Sequence, residues 1–347
     1  MSKSKIEWTD AVWNPTTGCS KVSAGCANCY AEREWRRLAG NPMTAYFGRK
    51  FNDVACHPER LEQPLRWKKP RKIFVNSMSD LFHESVPDKF IAKVFAIMDL
   101  ARQHTYMVLT KRPERAKELL SSEDFQFHVG MFQSQAVREF KLPEPKEIGP
   151  WPLKNVWLGV SVENQEAADE RIPLLLHTPA VVRFISAEPL LGSVDLTKWI
   201  GTQFCCKCGY RGLDVGPEDE DGEFTCPECG ADEWYFTETE YHGALEKNDR
   251  QSIDWVIVGG ESGPNARPMH PYWVRSLRDQ CQASEVPFFF KQWGEWGWYQ
   301  GGHHSMKLPG TFVDGESFKA WMVRVGKKKA GRELDGRTWD ELPEVRA

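Results

Sequence analysis

The chain has 347 residues, enough for one large domain with an insertion or for two domains. Its 45 Lys and Arg against 49 Asp and Glu give a net charge of −4, so no overall basic field draws it to nucleic acid, although a local basic groove is compatible with that sum. No apolar run reaches membrane-spanning length, the start from Met1 to Trp8 has no signal-peptide core, and the cysteines come in clusters. Together these features predict a cytoplasmic protein whose cysteines ligate metal in a reducing compartment.

In chain order, residues 6–18 read as a short strand and turn that ends at Gly18. A cysteine loop follows, then a helical stretch rich in Glu and Arg from Tyr30 to Leu38, stopped by Gly40-Asn41-Pro42. Arg66 to Lys72 is a basic run that reads best as a solvated loop. A pattern then repeats: a short apolar run ends in a polar cluster, and usually a helical stretch follows. The runs are 73–77, 104–109, 156–160, 181–185, 253–258 and 286–290. Near-continuous apolar runs suit parallel strands buried on both faces. Between them, Ser85-Val-Pro87-Asp88 opens a helix with Phe90, Ile91, Val94, Phe95 and Met98 on one face. Pro271 opens another, which makes Cys281 a core residue.

Alternating strands and helices predict an α/β fold, a partial or complete parallel β/α barrel of the TIM type, with a doubly wound open sheet as the competing topology. The expected division is 1–199 for the first part of the barrel, 200–250 for an insertion, and 251–347 for the end of the barrel and a C-terminal extension. Residues 121–154 are long for a plain connection and are expected to hold extra helices or a lid. Fifteen tryptophans suggest broad aromatic packing, with stacking surfaces for a flat substrate as a further use.

The cysteine loop carries Cys19, Cys26 and Cys29, spaced C-x6-C-x2-C, and the next cysteine is Cys56. Structural zinc and cubic iron–sulfur clusters both want four ligands. Three ligands leave one metal position open. The reading is a [4Fe–4S] cluster whose fourth iron binds S-adenosylmethionine (SAM). The blander readings are a site completed from elsewhere, or cysteines buried as small hydrophobes. A second motif lies in the insertion. Cys205, Cys208, Cys226 and Cys229 give C-x2-C-x17-C-x2-C, with a glycine after each pair. This is the pattern of a closed zinc ribbon that folds the insertion, with an auxiliary iron–sulfur cluster as the rival occupant.

The chain resembles the phage Gp37/Gp68 family (DUF5131-like), also found in bacteria. The resemblance covers nearly the whole length. It rests on Trp13-Asn14-Pro15 with the three cysteines, Asn76-Ser-Met-Ser-Asp80, Leu109-Thr-Lys-Arg112-Pro, Gly159-Val-Ser-Val-Glu163, Ser186-Ala-Glu188-Pro, Gly259-Gly-Glu-Ser-Gly263, Lys291-Gln-Trp-Gly294 and Gly336-Arg-Thr-Trp-Asp340. The family is similar to divergent radical SAM enzymes. The resemblance therefore implies a β/α barrel in which a [4Fe–4S] cluster follows the first strand. Three departures stand out: a first cysteine gap of six, Asn28 rather than an aromatic residue before the third cysteine, and a Gly-Gly-Glu that comes as late as Glu261.

On this reading SAM is cleaved to a 5′-deoxyadenosyl radical that takes hydrogen from substrate. Asn76, Ser77 and Asp80 are candidates for the SAM amino group. Lys111, Arg112 or Arg183 would meet the SAM carboxylate or a substrate phosphate, and Ser161, Glu163 and Glu188 the ribose or substrate. Lys291, Glu261 and Arg267 are expected on the substrate side as catalytic residues. The implied partners are a reductant such as flavodoxin or ferredoxin and a DNA or modified-nucleotide substrate, with no membrane, in a bacterial host or phage-infected cell. One concrete outcome is isomerisation of an amino-acid-modified thymine in hypermodified phage DNA. A zinc- or iron-binding nucleic-acid module without radical chemistry is the main alternative. A metal-dependent hydrolase on the same barrel is disfavoured by the shortage of histidines at the strand ends.

Overall fold

The computed structural model describes residues 6–143, 145, 149–200, 252–298, 310–315 and 319–344, and the backbone of 203–205, 211–212 and 234–235. Seven strands form one parallel sheet: β1 (Ala11–Trp13), β2 (Lys72–Val75), β3 (Thr105–Thr110), β4 (Val156–Ser161), β5 (Val182–Ala187), β6 (Trp255–Gly259) and β7 (Phe288–Gln292). Their order in the sheet is their order in the chain. A doubly wound sheet needs a reversal of that order at its switch point, so that topology is excluded. The sheet curls into a half-barrel, the partial form of the expected TIM-like fold.

The helices explain the curl. They are α1 (Tyr30–Ala39), α2 (Asp88–Leu100), α3 (Pro113–Leu120), α4 (Glu123–Glu139), α5 (Gln165–Leu176) and α6 (Pro271–Ala283). One strand face, with Ile73, Val75, Val108, Leu158, Ile185 and Val258, packs on helical residues such as Ile91, Phe95, Ile172 and Leu277. The alternate residues Phe74, Met107, Trp157, Phe184, Trp255 and Phe289 form a separate cluster on the concave side, with Trp8 among them. Their rings meet edge to face, Trp8 4.9 Å from Phe74 and 6.0 Å from Trp255. Each such pair adds roughly 0.5–1.5 kcal/mol beyond its area burial. Trp8, Trp157 and Trp255 thus pack as a floor inside the half-barrel.

Local details refine the sequence reading. Pro87, not Ser85, stands at the start of α2, with no side-chain cap. Ser122 and Asn164 cap α4 and α5 by accepting from Phe125 and Ala167 amides. Residues 121–154 supply α4, which lies outside the barrel against α2, with Gln133 Nε2 donating to Asp99 Oδ2 at 2.7 Å. It is an extra helix and not a lid. The basic run 66–72 leads into the N-terminal end of β2, the end away from the polar clusters.

Beyond β7, strands β8 (Trp296–Trp298), β9 (Gly310–Asp314) and β10 (Lys319–Arg324) make an antiparallel sheet in the order β8-β10-β9. It braces the loop after β6: Trp296 Nε1 donates to Ala266 O at 2.7 Å and Gly263 N to Glu295 Oε1 at 3.0 Å. The segment 334–342 then covers the free edge of β7. Phe290 N donates to Trp339 O at 3.0 Å, and Trp255 Nε1 reaches Glu341 O at 2.9 Å. The insertion shows a three-stranded antiparallel backbone in which Gln203–Cys205 lies between Arg211–Gly212 and Trp234–Tyr235. Cys208, Cys226 and Cys229 lie outside the described residues, as does the side chain of Cys205. Among the described residues no helix is long and apolar enough to cross a membrane.

Candidate functional site

Side chains alternate along a strand, so the concave-facing set continues past each strand end at every second residue. Met107 leads to Lys111, Trp157 to Ser161 and Glu163, Phe184 to Ser186 and Glu188, Trp255 to Gly259 and Glu261, and Phe289 to Lys291. All of these come at the C-terminal ends of the strands, where β/α barrels bind ligands. The cysteine loop leaves β1 at the same end. Gly18, with φ +93°, turns it, and an added Cβ there would sit 2.5 Å from Asp53 O.

Cys19, Cys26 and Cys29 are all partly buried. Burial pushes the Cys19 thiol up to about 11, with the Asp80 charge adding to it and Arg112 opposing. Burial also pushes Cys29 up, against backbone amides that favour its thiolate, and Cys26 adds to the rise at both neighbours. Cys26 thus sits within electrostatic reach of the other two. Cys281 is buried in the outer core, as expected, and Cys56 pairs opposite Thr16 and packs against that core.

A carboxylate holds this loop near each cysteine, and Glu84 adds to the hold at its start, accepting from Ser20 Oγ at 3.3 Å and from Arg112 Nε at 2.9 Å. At Cys19 the holder is Asp80, acting through Arg112. The Arg112 guanidinium donates to Asp80 Oδ2 at 3.3 Å, Ser20 Oγ at 2.8 Å and, more weakly, Cys19 Sγ at 3.8 Å. Asp80 also accepts from Thr110 Oγ1, Lys111 N and Phe82 N. A carboxylate offers about four acceptor positions, so Asp80 has nothing left for a SAM amino group and serves as an anchor. Near Cys26 the holder is Glu163, which accepts from Gly25 N at 3.3 Å, Lys111 Nζ at 3.2 Å and Arg171 at 2.9 Å. Burial alone would push its carboxyl up, but Lys111, Ser23 and Arg171 hold it down at about 2. Near Cys29 the holder is Glu261. It accepts from Asn28 Nδ2 at 3.0 Å and from Arg267 at 2.7 and 3.0 Å, and Arg267 also donates to Ala24 O at 3.0 Å. Burial raises the Glu261 carboxyl, and the Arg267 and Asn28 hydrogen bonds outweigh it.

Asn76 and Ser77 line the turn beside this loop. Asn76 Nδ2 donates to Thr16 Oγ1 at 2.9 Å, while its buried Oδ1 has no partner among the described residues. Ser77 N donates to Asn14 Oδ1 at 2.7 Å, and Ser77 O accepts from Tyr30. Ser161 faces the rim, and its carbonyl accepts from Arg171 at 2.8 Å. Lys291 Nζ pairs with Glu188 at 3.1 Å. Arg183 is not at the site. It lies one residue into β5, where its amide donates to Asp254 and its guanidinium to Thr178 O. Those partners belong to the opposite end of the sheet, so the expected role at the SAM carboxylate or a phosphate is withdrawn.

The sequence reading passed over Arg171, Ser20, Asn14 and Tyr30 as site residues. Arg171 carried the clearest signal: it interrupts the apolar stripe Ala167, Ala168, Ile172, Leu175, and an arginine there needs a buried acid. No curated protein and no solved structure matches the chain. One family model does, over residues 3–343, and its description reads protein of unknown function. With nearly its whole length matched, the chain belongs to the DUF5131 family.

Proposed function

We propose that the protein is a radical SAM enzyme whose [4Fe–4S] cluster is held by Cys19, Cys26 and Cys29. The observation that carries this reading is the anchored cysteine loop at the ligand-binding end of a half-barrel, with one carboxylate anchor near each cysteine. In a cubic cluster each thiolate takes its own iron, so three cysteines on one loop would fill three irons and leave the fourth open.

When bound and reduced, such a cluster with SAM on its open iron supplies a radical that takes hydrogen from substrate. The chain's own residues do the rest. Arg112 donates toward the Cys19 sulfur, which favours the thiolate. Glu163 holds the Gly25 amide and Glu261 the Asn28 side chain, one on each side of Cys26. The aromatic floor gives the space beneath a buried, apolar lining. The nucleic-acid module gains no specific support, because the basic run 66–72 lies at the end of the sheet opposite the cysteines.

The test is anaerobic reconstitution of the full chain with iron and sulfide. The expected result is broad visible absorbance and, with dithionite and SAM, release of 5′-deoxyadenosine. Both should vanish in the Cys26→Ala, Cys29→Ala double variant. SAM cleavage that persists in that variant, or wild-type protein that takes up zinc but no iron, overturns the reading.

A further inference from the structure

The charged residues at the mouth divide into two kinds. Asp80, Glu163 and Glu261 are tied to the cysteine loop, with side chains only 8%, 1% and 6% exposed. Their acceptor positions are filled by the donors that anchor the loop. Glu188 and Lys291 are tied to each other instead, with side chains 15% and 18% exposed.

Several observations mark this second pair as a docking point. Lys291 Nζ lies 3.1 Å from both Glu188 oxygens, and among the described residues it has no other partner. An ammonium has three donors, so some of its capacity is unused. Besides Lys291, Glu188 accepts from Ser186 Oγ at 3.4 Å, a weak contact. Neither residue bonds to residues 19–29 among those described, so the pair bears no part of the loop's anchoring. The space for the carboxylate is built in: a Cβ at Gly259 would lie 2.4 Å from Glu188 Oε1.

The charge pattern selects the ligand. A phosphate or other purely anionic group drawn to Lys291 would meet Glu188 beside it, a like charge in a half-buried place. A purely cationic group would meet Lys291. A group with one charge of each sign inserts between them and turns one ion pair into two, leaving no charge uncompensated.

We propose that Lys291 and Glu188 bind an α-amino-acid group, its carboxylate on Lys291 and its ammonium on Glu188. The proposal rests on the mouth being the reaction site. Two sources have this chemistry, the methionyl end of SAM and an amino-acid-bearing substrate, and the experiment separates them.

Full-length reconstituted protein is titrated calorimetrically with SAM, with 5′-methylthioadenosine, which lacks the amino-acid end, and with each proteinogenic L-α-amino acid. Lys291→Met and Glu188→Gln are compared with the unchanged protein. At least one amino-acid-bearing probe should lose about tenfold or more in affinity in both variants. Iron content and 5′-methylthioadenosine binding should stay as they were. A loss on SAM assigns the site to the cofactor. A loss on a free amino acid, with SAM unaffected, assigns it to the substrate. The charge-exchanged protein Lys291→Glu, Glu188→Lys re-forms the pair and guards against a mere folding defect; its melting should match the unchanged protein while the probe's affinity stays low. Unchanged affinity for every probe in both single variants, or no amino-acid-bearing probe binding the unchanged protein, overturns the proposal. Protein that takes up no iron but binds an amino acid through Lys291 keeps this inference and loses the radical one. Iron uptake and SAM cleavage without any Lys291 effect do the reverse.

Discussion

Arg171 and Glu163 meet 2.9 Å apart with side chains 3% and 1% exposed, and Lys111 completes the group from the other side. Removing one member of such a buried pair strands the other, which costs about 3–5 kcal/mol. Glu163→Gln should therefore lower unfolding stability by roughly that amount in urea titrations at neutral pH. The pH dependence has a definite sign. The folded pKa, about 2, is depressed below the ordinary 4.5. The contribution is present above the unfolded value and drains away as pH falls from about 4.5 through 2. Acid unfolding of Glu163→Gln should lack that part of the slope. If both proteins lose stability in parallel over this range, the ion pair is not the anchor described.

At the scale of single elements, the turn at Gly18 decides where the cysteine loop points. A side chain there faces both a left-handed φ of +93° and the backbone of Asp53 at 2.5 Å. Gly18→Ala should cost about 1–3 kcal/mol in strain alone, read as an earlier urea midpoint, and should reduce iron uptake on reconstitution. Unchanged uptake would mean that the loop finds its position without this turn. The strands themselves were legible, because runs such as Trp255–Gly259 are apolar on both faces and stop at a polar cluster. Strand parity places Arg183 away from the site: Phe184 and Ser186 point inward, so Arg183 points out, and it lies near the strand's start. One-dimensional order gives no view of Thr110, Lys111 and Arg112 folding back onto Asp80. The division of the mouth into loop anchors and one spare pair depends on contacts between residues more than a hundred positions apart, such as Asn28 with Glu261.

For the molecule as a whole, strands from before and after the insertion share one sheet, β5 pairing with β6. Ile253 N donates to Trp199 O at 3.1 Å, so the two chain ends that flank the insertion touch. Replacing 201–251 by a short Gly-Ser linker should leave the half-barrel folded, with a melting shift under about 4 °C, because no strand of the main sheet is lost. Iron uptake at the cysteine loop should persist in this shortened chain, measured as iron per chain after reconstitution. Loss of the fold would show that the insertion is part of the core.

The segment 334–342 has a further consequence for how the protein is made. It follows every strand of the sheet in the chain, and it satisfies the outer amides of β7 and the indole of Trp255. During synthesis the sheet therefore exists for a time with an unprotected border, and a border of unpaired amides invites pairing with other nascent chains. Residues 334–342 act as a fastener, so translation has to pass every strand of the sheet and reach them before the half-barrel is safe from its neighbours.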